Sequence, residues 1–258
     1  MAQVHPTAVV HPGARLHDTV EVGPFSVIGP QVVIGAGTRI GPHVVIEGRT
    51  TLGERNHLFQ FCSVGAAPQD LKYAGEDTEL VIGDENQIRE FVTVNLGTVA
   101  GGGATRLGHR NLLLANSHIA HDCVVGNEVL LANGAALAGH VVVEDSVKIS
   151  GLVAVHQFTR LGRYAFISGG SMVTMDVPPY CTVQGDRATL VGLNVVGLER
   201  GGFTEEQIGR VKEAYRILFR SKLGLQEALA QLRGELSAHP EVEHLVRFVE
   251  TSKRGVTR

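Results

Sequence analysis

The sequence predicts a parallel β-helix, a solenoid in which each coil of the backbone stacks on the one before. An aliphatic residue returns at every sixth position through residues 4–64, then through 82–94, and then through 107–173. A period of six fits neither a helix nor an alternating strand, whereas hexapeptide periods belong to parallel β-helices. Three hexads, about 18 residues, would make one triangular coil with its aliphatic side chains stacked along the axis.

Each hexad also carries a turn signal. Glycine often follows the aliphatic residue, as at Gly23 and Gly29, and a small or β-branched residue follows at the fourth position, as at Ser26 and Thr38. Glycine takes backbone angles that strain other residues, so these positions indicate tight bends. Short strands are therefore expected to alternate with corners throughout a solenoid unit covering residues 1–190.

Two interruptions of the repeat predict inserted loops at residues 66–81 and 99–106. Insertions in solenoids often carry binding residues. The first contains the segment 69–72, and the second contains three consecutive glycines at 101–103. The glycine run has neither the spacing nor the strand-to-helix setting of a phosphate-binding loop.

The spacing turns helical in the tail, residues 191–258. Thr204 and Gln207 form a predicted capping box, and two further helices are expected at residues 225–237 and 240–252. Such a unit would cover the exposed strand edges of the last coil. Lys212, Arg216 and Arg220 recur at helical spacing, which fits a solvated face or a docking surface.

Composition and charge narrow the function classes. The 258 residues carry a net charge of −3, yet residues 200–258 hold 11 Lys and Arg against 8 Asp and Glu. A basic tail on an acidic body disfavours a nucleic-acid-binding face and allows an acidic protein partner. We expect no membrane span and no signal peptide. Three cysteines in unrelated settings indicate reduced thiols and a cytoplasmic protein.

Histidines gather in one part of the repeat. His121 lies about one coil from Gly139 and His140, His118 precedes it, and His156 follows about a coil later. A neutral histidine suits proton removal from a sugar hydroxyl, with Asp122 orienting the ring and the Gly139 N–H facing an oxyanion. Three histidines are also a zinc-ligand set. Spacing alone leaves both chemistries open.

Several motifs together resemble the UDP-N-acetylglucosamine O-acyltransferase family of hexapeptide acyltransferases, which act in lipid A biosynthesis. They span nearly the whole chain and comprise the segments 69–75, 116–123, 138–141, 155–158, 176–180 and 251–255. The resemblance implies a left-handed parallel β-helix, a homotrimer with its active site between subunits, and no metal or cofactor. It implies transfer of a (R)-3-hydroxyacyl group from acyl carrier protein to the 3-hydroxyl of UDP-N-acetylglucosamine.

The resemblance also implies roles for individual residues. His121 matches the general base, Asp122 its partner, and Gly139 the oxyanion donor. A docking surface for the acidic carrier protein would fall on Lys212, Arg216 and Arg220. Matches to substrate contacts are found at Gln69, Asp70, Leu71, Lys72, Asn95, His118, His140, His156, Gln157, Asn194 and Arg200.

Four positions bear on substrate choice. Asn95 and Leu96 stand where the family often has His-Arg, and Gly201 stands where it has a second arginine. These losses of charge leave open a modified acceptor such as a 3-amino UDP-sugar. Gly169 matches the position that closes the acyl groove, and its missing side chain predicts a longer hydroxyacyl chain.

Other functions on the same scaffold stay open. One is another hexapeptide acyltransferase, such as the N-acyltransferase of the same pathway, although that enzyme carries an additional amino-terminal domain. A second is a zinc enzyme similar to carbonic anhydrase, which stoichiometric metal would reveal. A third is a non-enzymatic solenoid, which the irregular exposed positions and the clustered histidines disfavour.

Overall fold

The structure, a computed structural model, describes residues 1–235 and 239–258. Within these ranges, short parallel strands pass through three sheets in rotation, so that each strand pairs with the strand one coil away. The register confirms the predicted coil of 18 residues, since Val4 pairs with Val22 and Leu113 with Leu131. The chain is the predicted parallel β-helix.

The three sheets form the sides of a triangular prism. Sheet A contains β1 (Gln3–Val4), β4 (Glu21–Val22), β7 (Arg39–Ile40), β10 (His57–Leu58), β13 (Gln87–Ile88), β16 (Leu112–Leu113), β19 (Leu130–Leu131), β22 (Lys148–Ile149), β25 (Phe166–Ile167), β27 (Cys181–Gln184) and β28 (Thr189–Leu193). Sheet B contains β2 (Val9–Val10), β5 (Val27–Ile28), β8 (Val45–Ile46), β11 (Ser63–Ala66), β14 (Thr93–Asn95), β17 (His118–Ile119), β20 (Ala136–Leu137), β23 (Ala154–Val155) and β26 (Met172–Val173). Sheet C contains β3 (Arg15–Leu16), β6 (Val33–Ile34), β9 (Arg49–Leu52), β12 (Glu79–Ile82), β15 (Ala104–Leu107), β18 (Val124–Val125), β21 (Val142–Val143) and β24 (Arg160–Leu161).

The aliphatic positions of the repeat form the core. In most two-residue strands the first side chain points outward and the second inward, so Ile28, Leu58, Ile88 and Leu113 are fully or almost fully buried. Each such side chain contributes about 1.5–3 kcal/mol on burial. The six-residue spacing therefore stabilises the prism along most of its length.

A ladder of buried amides holds one corner of the prism. Asn56 Oδ1 accepts hydrogen bonds from the backbone and side-chain nitrogens of Asn86, both at 2.9 Å. Asn86 Oδ1 does the same for Asn111, and Asn111 Oδ1 accepts from the Val129 N–H. Buried corner N–H groups must be paired, which explains the polar residue at this inward position of the repeat.

The inserted loops are shorter than predicted. β12 and β15 run into the ranges 66–81 and 99–106 because Glu79–Ile82 pairs with both Arg49–Leu52 and Ala104–Leu107. Part of each interruption therefore continues sheet C. The second interruption also contains a short 3₁₀ helix, η1 (Val99–Gly101), that follows β14.

The tail is helical, with α1 (Val195–Arg200), α2 (Glu205–Arg220), α3 (Leu225–Glu235) and α4 (Pro240–Glu250). The predicted capping box is confirmed at Thr204 and Gln207. The expected helix at 225–237 is observed to Glu235, and its last two predicted residues lie outside the described ranges. The expected helix at 240–252 ends at Glu250, and α1 is an addition that the sequence spacing did not indicate.

The tail joins the last coils closely. β28 spans the predicted unit boundary between residues 190 and 191, and it pairs antiparallel with β27 of the solenoid. The buried Asp176 carboxylate accepts hydrogen bonds from the Arg160 N–H and the Ser252 hydroxyl, both at 2.8 Å. The division at this boundary stays a prediction. No helix in the described part of the chain is long and apolar enough to cross a bilayer.

Candidate active site

The predicted base and its partner meet at the corner between β17 and β18. His121 Nδ1 lies 2.7 Å from Asp122 Oδ2, and the Asp122 side chain is completely buried. Asp122 takes a positive φ of 60°, which aspartate tolerates better than most residues. This bend lets two sequence neighbours place their side chains together.

The second interruption of the repeat encloses Asp122. Thr98 donates to its carboxylate through both the backbone N–H, at 2.7 Å, and the hydroxyl, at 2.6 Å. The Asp122 N–H donates to Thr105 Oγ1 at 2.8 Å. A Cβ placed on Gly101 would collide with the carboxylate. The candidate residues predicted from the sequence did not include Thr98, and its place in the segment Gly-Thr-Val was the only signal.

Gly139 lies one coil beyond His121. The neighbouring His140 N–H donates to His121 O at 3.0 Å, and the His121 ring lies against the Gly139 backbone. Among the described residues the Gly139 N–H has no acceptor. A free N–H beside an imidazole is the arrangement that oxyanion stabilisation requires.

The other clustered histidines differ in their environments. The His140 ring contacts the His121 ring edge-on, with centroids 5.1 Å apart, and stacks on Phe158. His118 bonds to Thr93 Oγ1 at 2.7 Å. His156 is exposed, and its Nδ1 lies 3.1 Å from the Gln157 carbonyl oxygen. The structure therefore brings His121, Asp122, Gly139 and His140 together and leaves His156 and Gln157 beside them in solvent.

Burial favours the neutral form of two of these histidines by lowering their pKa. Desolvation is the main cause that lowers the pKa of His118, and the adjacent His121 adds to it. Desolvation also lowers the pKa of His140, although the carboxylates of Asp122 and Asp70 oppose this shift. Neutral rings can act as hydrogen-bond donors or acceptors toward a polar substrate.

The first interruption approaches the same corner. Asp70 is close enough to act on His140 electrostatically, and its Oδ1 accepts the Lys72 N–H at 3.0 Å. Gln69, Leu71 and Lys72 are exposed, Leu71 completely. These side chains are free to contact a molecule at the His121 corner.

Asn95 and Leu96 lie beneath this loop and are buried. The Asn95 amide nitrogen lies 3.4 Å from Ala66 O and 3.3 Å from Ala67 O, and its Oδ1 has no hydrogen-bond partner. Leu96 belongs to the hydrophobic core. The Asn95 side chain thus ties the base of the loop and is only 3% exposed, and its contact with substrate stays a prediction.

Two predicted substrate contacts lie on another side of the prism. Asn194 and Arg200 line a cavity of about 580 Å³ between sheet A and α1, together with Lys148 and Phe166. The Asn194 side chain caps α1 through the Gly197 N–H at 3.0 Å. His121 is not among the residues of this cavity. A single chain therefore does not bring these residues to the His121 corner.

Gly169 is exposed near the end of the solenoid, between β25 and β26. A Cβ there would meet only Gly151 O at 3.5 Å and Ser150 Cβ at 3.9 Å, both ordinary contacts. The position therefore has room for a side chain that the sequence does not supply.

The predicted docking residues lie on the exposed side of α2. Arg216 pairs with Glu213 at 2.6 Å, and Arg220 Nε donates to the Tyr215 hydroxyl at 3.1 Å. Lys212 forms no ion pair within the described ranges.

One group of potential metal ligands occurs in the described part of the chain: His121, Asp122 and His140, with ligand atoms within 4.8 Å of one another. The predicted set of three histidines does not form there. Asp122 Oδ1 accepts the Thr98 N–H, and Oδ2 accepts the Thr98 hydroxyl and faces His121. Both oxygens of the Asp122 carboxylate thus already take part in hydrogen bonds within the protein.

Comparisons with known proteins identify the family that this chain resembles. A family profile described as UDP N-acetylglucosamine O-acyltransferase, domain 2, matches residues 176–257, and a bacterial transferase hexapeptide profile matches residues 13–48. The acyl-[acyl-carrier-protein]--UDP-N-acetylglucosamine O-acyltransferase of Myxococcus xanthus is 75% identical over all of both chains. Its counterpart from an Anaeromyxobacter species is 62% identical over 99% of each chain.

Solved structures extend the similarity to the fold. The UDP-N-acetylglucosamine acyltransferase of Francisella novicida superposes with a TM-score of 0.96 at 40% identity, covering 99% of this chain and 94% of its own. The Bacteroides fragilis enzyme gives a TM-score of 0.96 at 40% identity, covering 99% and 100%. The predicted left-handed parallel β-helix with a small helical tail is confirmed. This chain belongs to the UDP-N-acetylglucosamine O-acyltransferase family.

Proposed function

We propose that this protein transfers a (R)-3-hydroxyacyl chain from acyl carrier protein to the 3-hydroxyl of UDP-N-acetylglucosamine, with His121 as the general base. The contact between His121 Nδ1 and the buried Asp122 carboxylate carries the proposal, because it leaves Nε2 available for a substrate proton. Relatives of 75% and 62% identity bear the name of this activity.

The transfer follows from the arrangement of these groups. His121 Nε2 removes the proton from the 3-hydroxyl as that oxygen attacks the thioester carbonyl carbon of the donor. The Gly139 N–H stabilises the resulting oxyanion, and Asp122 stabilises the imidazolium. The intermediate then expels the carrier-protein thiolate, which takes the proton from His121. Asp70 and Lys72 on the first loop hold the sugar and phosphate portions.

We infer that a homotrimer completes the site. Asn194 and Arg200 lie in a separate cavity of the same chain, so their predicted contacts with substrate require another subunit. The outer face of sheet B offers exposed apolar side chains, including Val9, Val27 and Val45. The adjoining corner stacks the rings of Phe25, His43, Phe61 and Phe91 with centroids 5.0–5.2 Å apart. Such surfaces favour burial against another subunit.

The donor would dock on the tail. Acyl carrier protein is acidic, and Lys212, Arg216 and Arg220 present a basic row on α2. Cys62, Cys123 and Cys181 are free and buried, which supports the proposed cytoplasmic location. No cofactor has a part in the proposed reaction.

A direct assay tests the proposal. Purified wild type and His121→Ala would be mixed with hydroxyacyl carrier protein and UDP-N-acetylglucosamine, and the acylated sugar would be quantified. We expect turnover by wild type and a loss of at least 100-fold in the variant. His17→Ala, at an exposed histidine of the first coils, serves as the matched control. Full activity of His121→Ala would eliminate the proposed base.

The 3-amino UDP-sugar is the second candidate acceptor. The observation in its favour is that Leu96 is buried in the core and supplies no charge beside the first loop. The same assay with both acceptors decides between them. A strong preference for the hydroxyl sugar would dismiss the amino analogue.

A further inference from the structure

The Asp122 carboxylate is held by one residue outside the histidine cluster. Thr98 supplies two donors, with its N–H on Oδ1 and its hydroxyl on Oδ2. Oδ2 is also the oxygen that faces His121 Nδ1. Thr98 is only 6% exposed and so cannot readily contact a substrate itself.

The direction of the Thr98 hydroxyl is fixed by its own surroundings. The Gly101 N–H donates to Thr98 Oγ1 at 3.2 Å, so this oxygen is already an acceptor on one side. Its hydrogen therefore points toward Asp122, 2.6 Å away. A carboxylate that accepts both Thr98 donors is also an acceptor toward His121. The hydrogen between Asp122 and His121 therefore belongs to His121 Nδ1.

The segment that carries Thr98 is anchored to the solenoid. The Gly97 N–H donates to Glu79 O at 3.1 Å, and the Glu79 N–H donates to Gly103 O at 2.9 Å. The Gly103 N–H donates back to Thr98 O at 2.8 Å. The absence of a side chain at Gly101 lets this turn close directly over Asp122. The segment 97–103 thus packs directly against the Asp122 carboxylate.

We propose that Thr98 is a positioning residue for the reaction. Its hydroxyl orients Asp122, and Asp122 in turn holds His121 in the tautomer whose Nε2 is free to accept the substrate proton. The inference rests on the proposed role of His121 as base and assigns a function to the segment 97–103, which leads into the second interruption of the repeat. Groups that act together in this way contribute to turnover without touching the substrate.

Other charged or titratable groups also surround His121 and Asp122. A substitution of Thr98 leaves these residues in place. A change in pH dependence on substitution of Thr98 would therefore report the lost hydroxyl. These groups are His118 on β17, Cys123 beside Asp122, His140 on the next coil and Asp70 on the first loop.

Thr98→Val and Thr98→Ser in the full-length protein test the inference. We expect Thr98→Val to lower kcat by about 10- to 100-fold with little change in the KM for UDP-N-acetylglucosamine, because a hydrogen bond to a charged group is lost. The acidic limb of the kcat/KM profile should move to higher pH, since Asp122 then presents more of its charge to the imidazolium. Thr98→Ser should restore both properties.

Thr159→Val is the matched control, because Thr159 Oγ1 is buried and has no hydrogen-bond partner. Circular dichroism and urea unfolding would verify that all variants fold. Wild-type kcat and pH profile in folded Thr98→Val, with His121→Ala inactive, would overturn the positioning role alone. Activity in His121→Ala would instead overturn the proposed function.

Discussion

The imidazole of His121 lies directly against the backbone of Gly139, one coil away. A Cβ at Gly139 would come within 2.5 Å of His121 Cε1 and 2.7 Å of Nε2. Cβ atoms do not approach other atoms this closely without displacement. Glycine at this position therefore sets both the ring position and the exposure of the adjacent N–H.

Gly139→Ala is expected to displace the His121 ring and lower kcat by about 100-fold or more, since small misplacements of a catalytic group are costly. The free energy of unfolding should change little, because the His121 ring is partly exposed and can move outward. Product formation and urea unfolding would be measured for the same samples. Gly234→Ala, where an added Cβ meets no atom, is the control. Normal kcat in Gly139→Ala would show that the close contact has no catalytic importance.

Stability should decrease in mild acid, in part because of His118. Burial lowers its pKa in the folded protein, so the unfolded chain binds protons first as the pH falls below about 6.5. The free energy of unfolding is thus lost between that pH and the lowered folded pKa. His118→Gln should reduce the slope of unfolding free energy against pH without abolishing it, because His140 shifts in the same direction. Urea unfolding between pH 7.5 and 5 measures both slopes, and an unchanged slope would contradict the assignment.

The repeat made most of the fold predictable. Side chains at every sixth position, such as Ile28 and Leu113, are buried together when three hexads make one coil, so coil length and register followed directly. Handedness did not follow, because hexad spacing is the same in either hand. The helix α1 was also missed, since six residues are too few to establish a helical period.

The active-site corner was predictable only in part. His121 and Gly139 are 18 residues apart, so the coil length alone predicted that they are neighbours on adjacent coils. The enclosure of Asp122 by Thr98 depends on how an irregular segment folds back, which no period describes. The burial of Asn95 beneath the first loop was unpredictable for the same reason.

Asp176 is expected to be the strongest single link between solenoid and tail. Asp176→Ala removes the acceptor of both the Arg160 N–H and the Ser252 hydroxyl, which should cost about 2–4 kcal/mol of unfolding free energy. Ser252→Ala removes only one of these bonds and should cost less. Urea unfolding monitored by circular dichroism compares the two. Equal stability of Asp176→Ala and wild type would exclude this role.

Charge reversal on α2 tests carrier-protein docking. Lys212→Glu should raise the KM for hydroxyacyl carrier protein by about 3- to 10-fold at low salt, and the difference should shrink as salt increases. The KM for the UDP-sugar should not change. Arg15→Glu, an equal change of charge on the exposed side of β3, is the control. An effect of the same size in Arg15→Glu would mean that overall charge, and not the α2 surface, governs the encounter.

Donor length should depend on residue 169. An added Cβ at Gly169 would meet only Gly151 O and Ser150 Cβ, so no side chain closes the predicted acyl groove at this position. Each additional buried methylene contributes about 0.8 kcal/mol, or roughly fourfold. Wild type should therefore use fourteen-carbon donors in preference to ten-carbon ones, measured as the ratio of kcat/KM values. Gly169→Met should reverse this preference by filling the open position, whereas Gly234→Met on α3 should not. A clear preference of wild type for the ten-carbon donor would contradict the open groove.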